Sequence, residues 1–155
     1  MPKYAKNTDV SSVQTRMEIE TTLSRYGAAQ FAYATDNDKA LICFTMYDRQ
    51  VRFLLPLPDL GSREFTHTPA RGELRSPENA QKEWEQACRQ RWRALLLVIK
   101  AKLEAVECGI SVFEDEFMAN IVLPDGQTVG RFMRPQIAQA YATGRMPAML
   151  PMLEG

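Results

Sequence analysis

The chain is poor in the residues and patterns that most catalytic and membrane functions need. It has one histidine, three cysteines, no long apolar run and no net charge. A single imidazole, His67, excludes a histidine-based metal site and leaves nucleophile–histidine catalysis one possible base. That base lies in Thr66-His67-Thr68-Pro69, which reads as a solvated loop, and no nucleophile elbow accompanies it. The cysteines, Cys43, Cys88 and Cys108, are odd in number and form no C-x-x-C pair. That argues against a disulfide framework or structural zinc and fits a reducing cytoplasm. All three adjoin apolar runs and read as buried, inert thiols. The longest such run, Ala94–Ile99, is far too short to cross a bilayer, and the opening MPKYAKNTD lacks the apolar segment of a secretory signal. A cytoplasmic protein without a membrane partner is expected. Neither G-x-x-x-x-G-K-[ST] nor G-x-G-x-x-G occurs, so no nucleotide phosphate fingerprint is present and no cofactor is expected.

Charge excludes less. Lys plus Arg and Asp plus Glu number 19 each. A protein that coats nucleic acid by bulk charge is usually basic overall, so a nucleic-acid role here must rest on a local patch. At 155 residues, 45% hydrophobic and 25% charged, the composition fits one domain with its own core.

The pattern along the chain predicts an α+β fold. Residues 1–11 are polar and read as a disordered N-terminus. A helix is predicted over Val13–Tyr26, with Thr15 and Glu18 as a capping box and Gly27 as its stop. Three strands follow, Gln30–Thr35, Ala40–Tyr47 and Val51–Leu55, joined by turns at 36–39 and 48–50 into an antiparallel meander. Residues 57–75 form a long connection without periodicity, a length that tends to be functional or disordered. Ser76 then caps, and Pro77 opens, a helix running to Cys108. A shorter helix, Val112–Val122, is predicted behind a Ser111/Glu114 capping box. Leu123-Pro124-Asp125-Gly126 makes a turn. A last helix falls within Gly130–Thr143, starting as late as Pro135, and residues 145–155 form an irregular Met- and Pro-rich tail. The single domain spans 12–144, its sheet covered on one side by the long helix.

That long helix carries the strongest pattern. Ala80, Trp84, Cys88, Trp92, Leu95, Ile99, Leu103 and Val106 recur every three or four residues, an apolar stripe for a core. At 1.5 Å per residue the element is roughly 48 Å long, more than a small sheet can cover, so one end must protrude, break or pack on something else. A homo-oligomer is expected, because an unmatched apolar end needs a cover. The helix also holds Arg89, Arg91, Arg93, Lys100 and Lys102 with no carboxylate between them. Arg89 and Arg93, one turn apart, can meet successive phosphates, and Arg with aromatics is a common single-strand combination. The candidate nucleic-acid-binding residues are thus Arg89, Arg93 and Lys100, with Arg71 and Arg75 from the long connection. Against this, Glu85–Arg89 and Lys100–Glu104 have the i, i+4 spacing of ordinary helix ion pairs. Glu104, Glu107, Glu114, Asp115 and Glu116 gather near a helix junction and could bind magnesium for phosphodiester cleavage. Charges favouring a helix N-terminus account for three of them equally well.

The chain resembles an uncharacterised family of bacteriophage and prophage proteins. The resemblance spans about residues 12–151. It is carried by Arg25-Tyr26-Gly27-Ala28, Pro56-Leu57-Pro58-Asp59, Arg75-Ser76-Pro77, Arg91-Trp92-Arg93-Ala94, Val98-Ile99-Lys100-Ala101-Lys102-Leu103-Glu104 and Val122-Leu123-Pro124-Asp125-Gly126. It implies a phage-type protein of the host cytoplasm and assigns no activity to named residues. In element order the chain is also similar to double-stranded-RNA-binding domains, although Ser76-Pro77-Glu78-Asn79-Ala80 replaces their basic motif. It is similar as well to phage single-strand annealing proteins. Three functions are therefore expected, in this order: a non-catalytic accessory protein of DNA metabolism that binds or anneals single-stranded DNA, an inhibitor of a host or defence protein, and a magnesium-dependent nuclease.

Overall fold

The computed structural model describes residues 3–146. Helix α1 (Ser12–Arg25) leads into an antiparallel sheet of order β1 (Ala29–Thr35), β2 (Lys39–Met46), β3 (Arg49–Pro56). The short helix α2 (Arg63–Thr66) and the long helix α3 (Pro77–Glu107) follow, then α4 (Phe113–Phe117), a 3₁₀ turn (Met118–Asn120) and α5 (Val129–Thr143). This is the predicted α+β order. No helix among the described residues is long and apolar enough to cross a membrane.

Alternation along the strands decides which face is covered. Ala40, Ile42, Phe44 and Met46 of β2 and Val51, Phe53 and Leu55 of β3 are buried. They form one cluster with Ile19 and Leu23 of α1, Trp92, Leu95, Leu96, Ile99 and Leu103 of α3, and Phe113 and Phe117 of α4. The intervening residues share the opposite face. There the register sets Lys39 against Pro56, Leu41 against Leu54 and Cys43 against Arg52. Tyr47 and Asp48 close the β2–β3 hairpin with φ of 49° and 59°, the positive values whose twist matches the flanking strands.

The length of α3 is resolved within the chain. Its N-terminal half lies under the connection 57–75 and the amino-terminal segment. Trp84 donates its indole N–H to the Pro58 carbonyl at 2.6 Å. Gln86 donates to the carbonyls of Lys6 and Thr8 at 3.0 and 2.7 Å, and Gln90 to that of Tyr4 at 2.9 Å. Phe65 of α2 is buried against this half of α3. The cover expected from a second copy is therefore supplied in cis. The same bonds strap residues 3–10 to α3, where a disordered N-terminus was expected, and the long connection contains α2 and a His67–Leu74 bridge.

Local signals were misplaced in four places. The N-terminal capping box is Ser11 with Gln14; Thr15 is fully buried and Glu18 reaches across to α3. No side chain caps α4, whose N-cap is Val112, and the helix yields to the 3₁₀ turn after five residues. Phe113 and Phe117 reach the core within that one turn, and Ile121 leaves the helix to bridge Val51 of β3. Finally α5 starts at Val129 and runs through Pro135. The lost hydrogen bond is tolerable there because α5 has no buried residue and water can satisfy the freed carbonyl. Gly144 ends α5 with φ 68°, as expected of a left-handed cap. The predicted tail beyond Met146 lies outside the described residues.

Candidate nucleic-acid interface

The basic segment of α3 is spent inside the fold. Arg93 Nη1 donates to Glu18 Oε2 at 2.6 Å, and Lys100 Nζ lies 3.4 Å from Glu18 Oε1. Glu18 thereby stands beside Lys100 where the spacing suggested Glu104. Its carboxyl is held below its ordinary pKa, chiefly by the Arg93 hydrogen bond. Arg89 donates to Gln86 Oε1 through Nε, at 3.2 Å, and through Nη2. Arg91 donates to the Pro56 carbonyl at 3.3 Å, and Lys102 to the Glu116 carbonyl at 2.9 Å. Arg75 Nη1 holds the carbonyls of Glu64 and Phe65 at 3.0 and 3.1 Å, which fixes α2. Of the five residues singled out from sequence, only Arg71 is exposed with no side-chain hydrogen bond among the described residues. Nor do all five converge: Arg93 and Lys100 meet only at Glu18, and Arg89 and Lys100 are eleven positions apart, about 16 Å along α3.

The tryptophans are likewise structural. Trp92 is in the core and the Trp84 N–H is taken. His67 accompanies Thr66, whose Oγ1 lies 2.7 Å from Nδ1, and pairs across the loop with Leu74. The acidic residues near 104–116 disperse as well: Glu114 pairs with Arg49 at 3.0 Å and Glu116 with Lys102 at 3.7 Å. Among the described residues no three His, Cys, Asp or Glu side chains are placed to hold a metal ion.

A different set of cations does converge. The open face of β2 and β3 forms one wall of a groove of about 630 Å³, and the 3₁₀ turn and the start of α5 form the other. Four cations line it: Lys39, Arg52, Arg131 and Arg134. No carboxylate does. None of the four makes a salt bridge among the described residues. Leu41, Leu54 and Pro56 give the groove an apolar strip, and the register sets Leu41 directly opposite Leu54.

Local structure explains the convergence. Alternation puts Lys39, Leu41, Arg52 and Leu54 on the face that no helix covers. The segment after the 3₁₀ turn is pinned to the edge of β3: Val122 N–H donates to the Gln50 carbonyl at 2.8 Å, and Asn120 Nδ2 to that of Arg52 at 3.2 Å. A turn with Gly126 at φ 91° reverses the chain, and Val129 N–H returns to the Ile121 carbonyl at 2.9 Å. This starts α5 beside the sheet, and the i, i+3 spacing sets Arg131 and Arg134 on one side of it. A concave, acid-free site with several unpaired cations and an apolar strip can hold a phosphate-bearing ligand that also has flat apolar parts.

Sequence reasoning missed this set, although one signal was present. From Gly126 to Leu153 the chain contains Arg131, Arg134 and Arg145 and no carboxylate. Lys39 and Arg52, 13 positions apart on neighbouring strands, come together only through the register.

Comparison with known protein families, with characterised proteins and with solved structures finds no match for this chain.

Proposed function

We propose that this protein is a non-catalytic, phage-type accessory protein of DNA metabolism that binds single-stranded DNA in the groove between the open sheet face and α5. The observation that carries the reading is the set of four cations, Lys39, Arg52, Arg131 and Arg134, lining one groove without a carboxylate and without ion pairs. Their guanidinium and ammonium groups supply phosphate contacts, and the strip of Leu41, Leu54 and Pro56 receives unstacked bases. The similarity in element order to phage single-strand annealing proteins directs the reading to DNA among polyanions.

The test is fluorescence anisotropy of a labelled single-stranded oligonucleotide across a salt series. Each phosphate contact on a single strand contributes about 0.7 to the slope of log affinity against log salt. Four contacts give a slope near 2.8, or roughly a 50-fold loss of affinity between about 50 and 200 mM salt. R131E/R134E should remove most of the binding. Salt-insensitive binding, or wild-type affinity in that variant, overturns the proposal.

A protein partner, such as a host or defence enzyme, is the second reading. It is favoured by the exposure of Ile137 (49%) and Tyr141 (86%) on α5. The self-association expected from α3 also extends to this helix, because the chain itself covers the N-terminal half of α3. The carboxylates near 104–116 give the nuclease reading no comparable support, since two of them are ion-paired.

A further inference from the structure

Gly130 stands in the first turn of α5 with ordinary helical φ, so its glycine is not required by backbone conformation. Glycine is disfavoured in helices relative to alanine, and the explanation for it here is space. A Cβ at this position would sit 3.0 Å from the Ala119 carbonyl oxygen and 3.3 Å from the Ala119 Cβ. The nearer of these is backbone, in a 3₁₀ turn pinned to β3, and it cannot swing aside as a side chain could. Gly130 and Ala119 both line the groove. Arg131 follows Gly130 directly, and α5 contacts the body chiefly through this turn.

We infer that Gly130 is a positioning residue for the groove. Its close approach to Ala119 sets how far α5, with Arg131 and Arg134, stands from Lys39 and Arg52 on the sheet. A side chain at 130 pushes α5 outward and separates the two pairs of cations. A ligand that spans the groove then loses contact with one wall. The inference rests on the groove being the binding site proposed above.

The experiment compares Gly130→Ala and Gly130→Leu with wild type and with R131E/R134E. It uses the same single-stranded oligonucleotide and salt series, with circular dichroism and thermal melts as controls. One lost phosphate contact lowers the salt slope by about 0.7 and, at about 0.1 M salt, the affinity by about fivefold. Gly130→Ala should lose about that much, and Gly130→Leu more, with the circular dichroism spectrum unchanged. A purely structural glycine would alter the melting temperature without altering the slope. If the leucine variant does not fold, Gly130→Ala is compared with the same substitution combined with Ala119→Gly. That double variant removes the 3.3 Å contact and should recover part of the affinity and slope. Wild-type affinity and slope in Gly130→Ala, with binding lost in R131E/R134E, overturns the positioning role alone. Wild-type binding in both overturns the site itself.

Discussion

Arg93→Ala separates a structural from a functional reading of the α3 cations. Arg93 keeps 19% of its side-chain surface, and its Nη1 is 2.6 Å from Glu18 Oε2. It also lies 3.5 Å from the hydroxyl of the fully buried Thr15. A hydrogen bond between charged groups contributes about 1.5–3 kcal/mol when water is largely excluded. Glu18 is 42% exposed, so solvent screening places the pair at the low end, about 1.5–2 kcal/mol. In a domain of this size that lowers the melting temperature by roughly 5–7 °C. Lys100→Ala should cost under about 0.5 kcal/mol, because both partners are well exposed and 3.4 Å apart. Urea denaturation of R93A, E18A and the double variant should give a coupling energy of about 1 kcal/mol or more. Oligonucleotide affinity of R93A should stay within twofold of wild type below its melting temperature. A variant that melts like wild type but loses DNA binding would refute the assignment and return the site to α3.

The same pair fixes a pH dependence. Glu18 has a folded-state pKa below its ordinary value of 4.5, and the Arg93 hydrogen bond is the leading cause. The folded state therefore holds the proton less tightly than the unfolded state. The resulting stabilisation is fully present above about pH 5 and disappears as pH falls through the folded value. Acid titration of stability should fall less steeply below pH 4.5 in R93A than in wild type.

Two further outcomes test the fold directly. Alkylation should modify the exposed Cys108 first and Cys88 last, because burial pushes the Cys88 thiol up to about 11 and leaves almost no thiolate at neutral pH; mass spectrometry of timed digests reads the order. Asp48→Gly should raise stability by about 0.5–1 kcal/mol in urea denaturation, because Asp48 holds φ 59° in the hairpin turn at a cost glycine does not incur. It leaves Tyr47 free to keep its packing on Phe113, 4.9 Å between ring centroids.

Periodicity carried the architecture because burial obeys it. The alternation at Val51, Phe53 and Leu55 and the stripe through Trp92, Leu95, Ile99 and Leu103 each need one face covered, and each was assigned the face it has. Caps were less legible. Thr15 and Glu18 fit the capping-box spacing as well as Ser11 and Gln14 do, and only the position of α3 decides between them, because it buries Thr15 and draws Glu18 away. The cover on α3 could not be read at all. Gln86 and Gln90 bind backbone carbonyls of residues 4–8, and a polar, aperiodic segment gives no hint of where its carbonyls will go. The length argument was sound about the need for a cover but looked for it in a second copy, where the chain's own residues 4–8 and Pro58 bind that half of α3.

The partners of the charges were hard to read for a related reason. Arg93 has no carboxylate near it in sequence, yet Glu18, 75 positions away, is its partner in space. Arg131 and Arg134 drew no notice as two arginines on one helix, yet the fold sets Lys39 and Arg52 across a groove from them that no carboxylate lines. Whether a cation is available to a ligand depends on the nearest carboxylate in three dimensions, which local charge counting cannot supply. Zero net charge is then compatible with binding a polyanion. The fold pairs Arg93, Lys100, Arg49 and Lys102 with carboxylates of its own, and leaves the four groove cations out of its ion pairs.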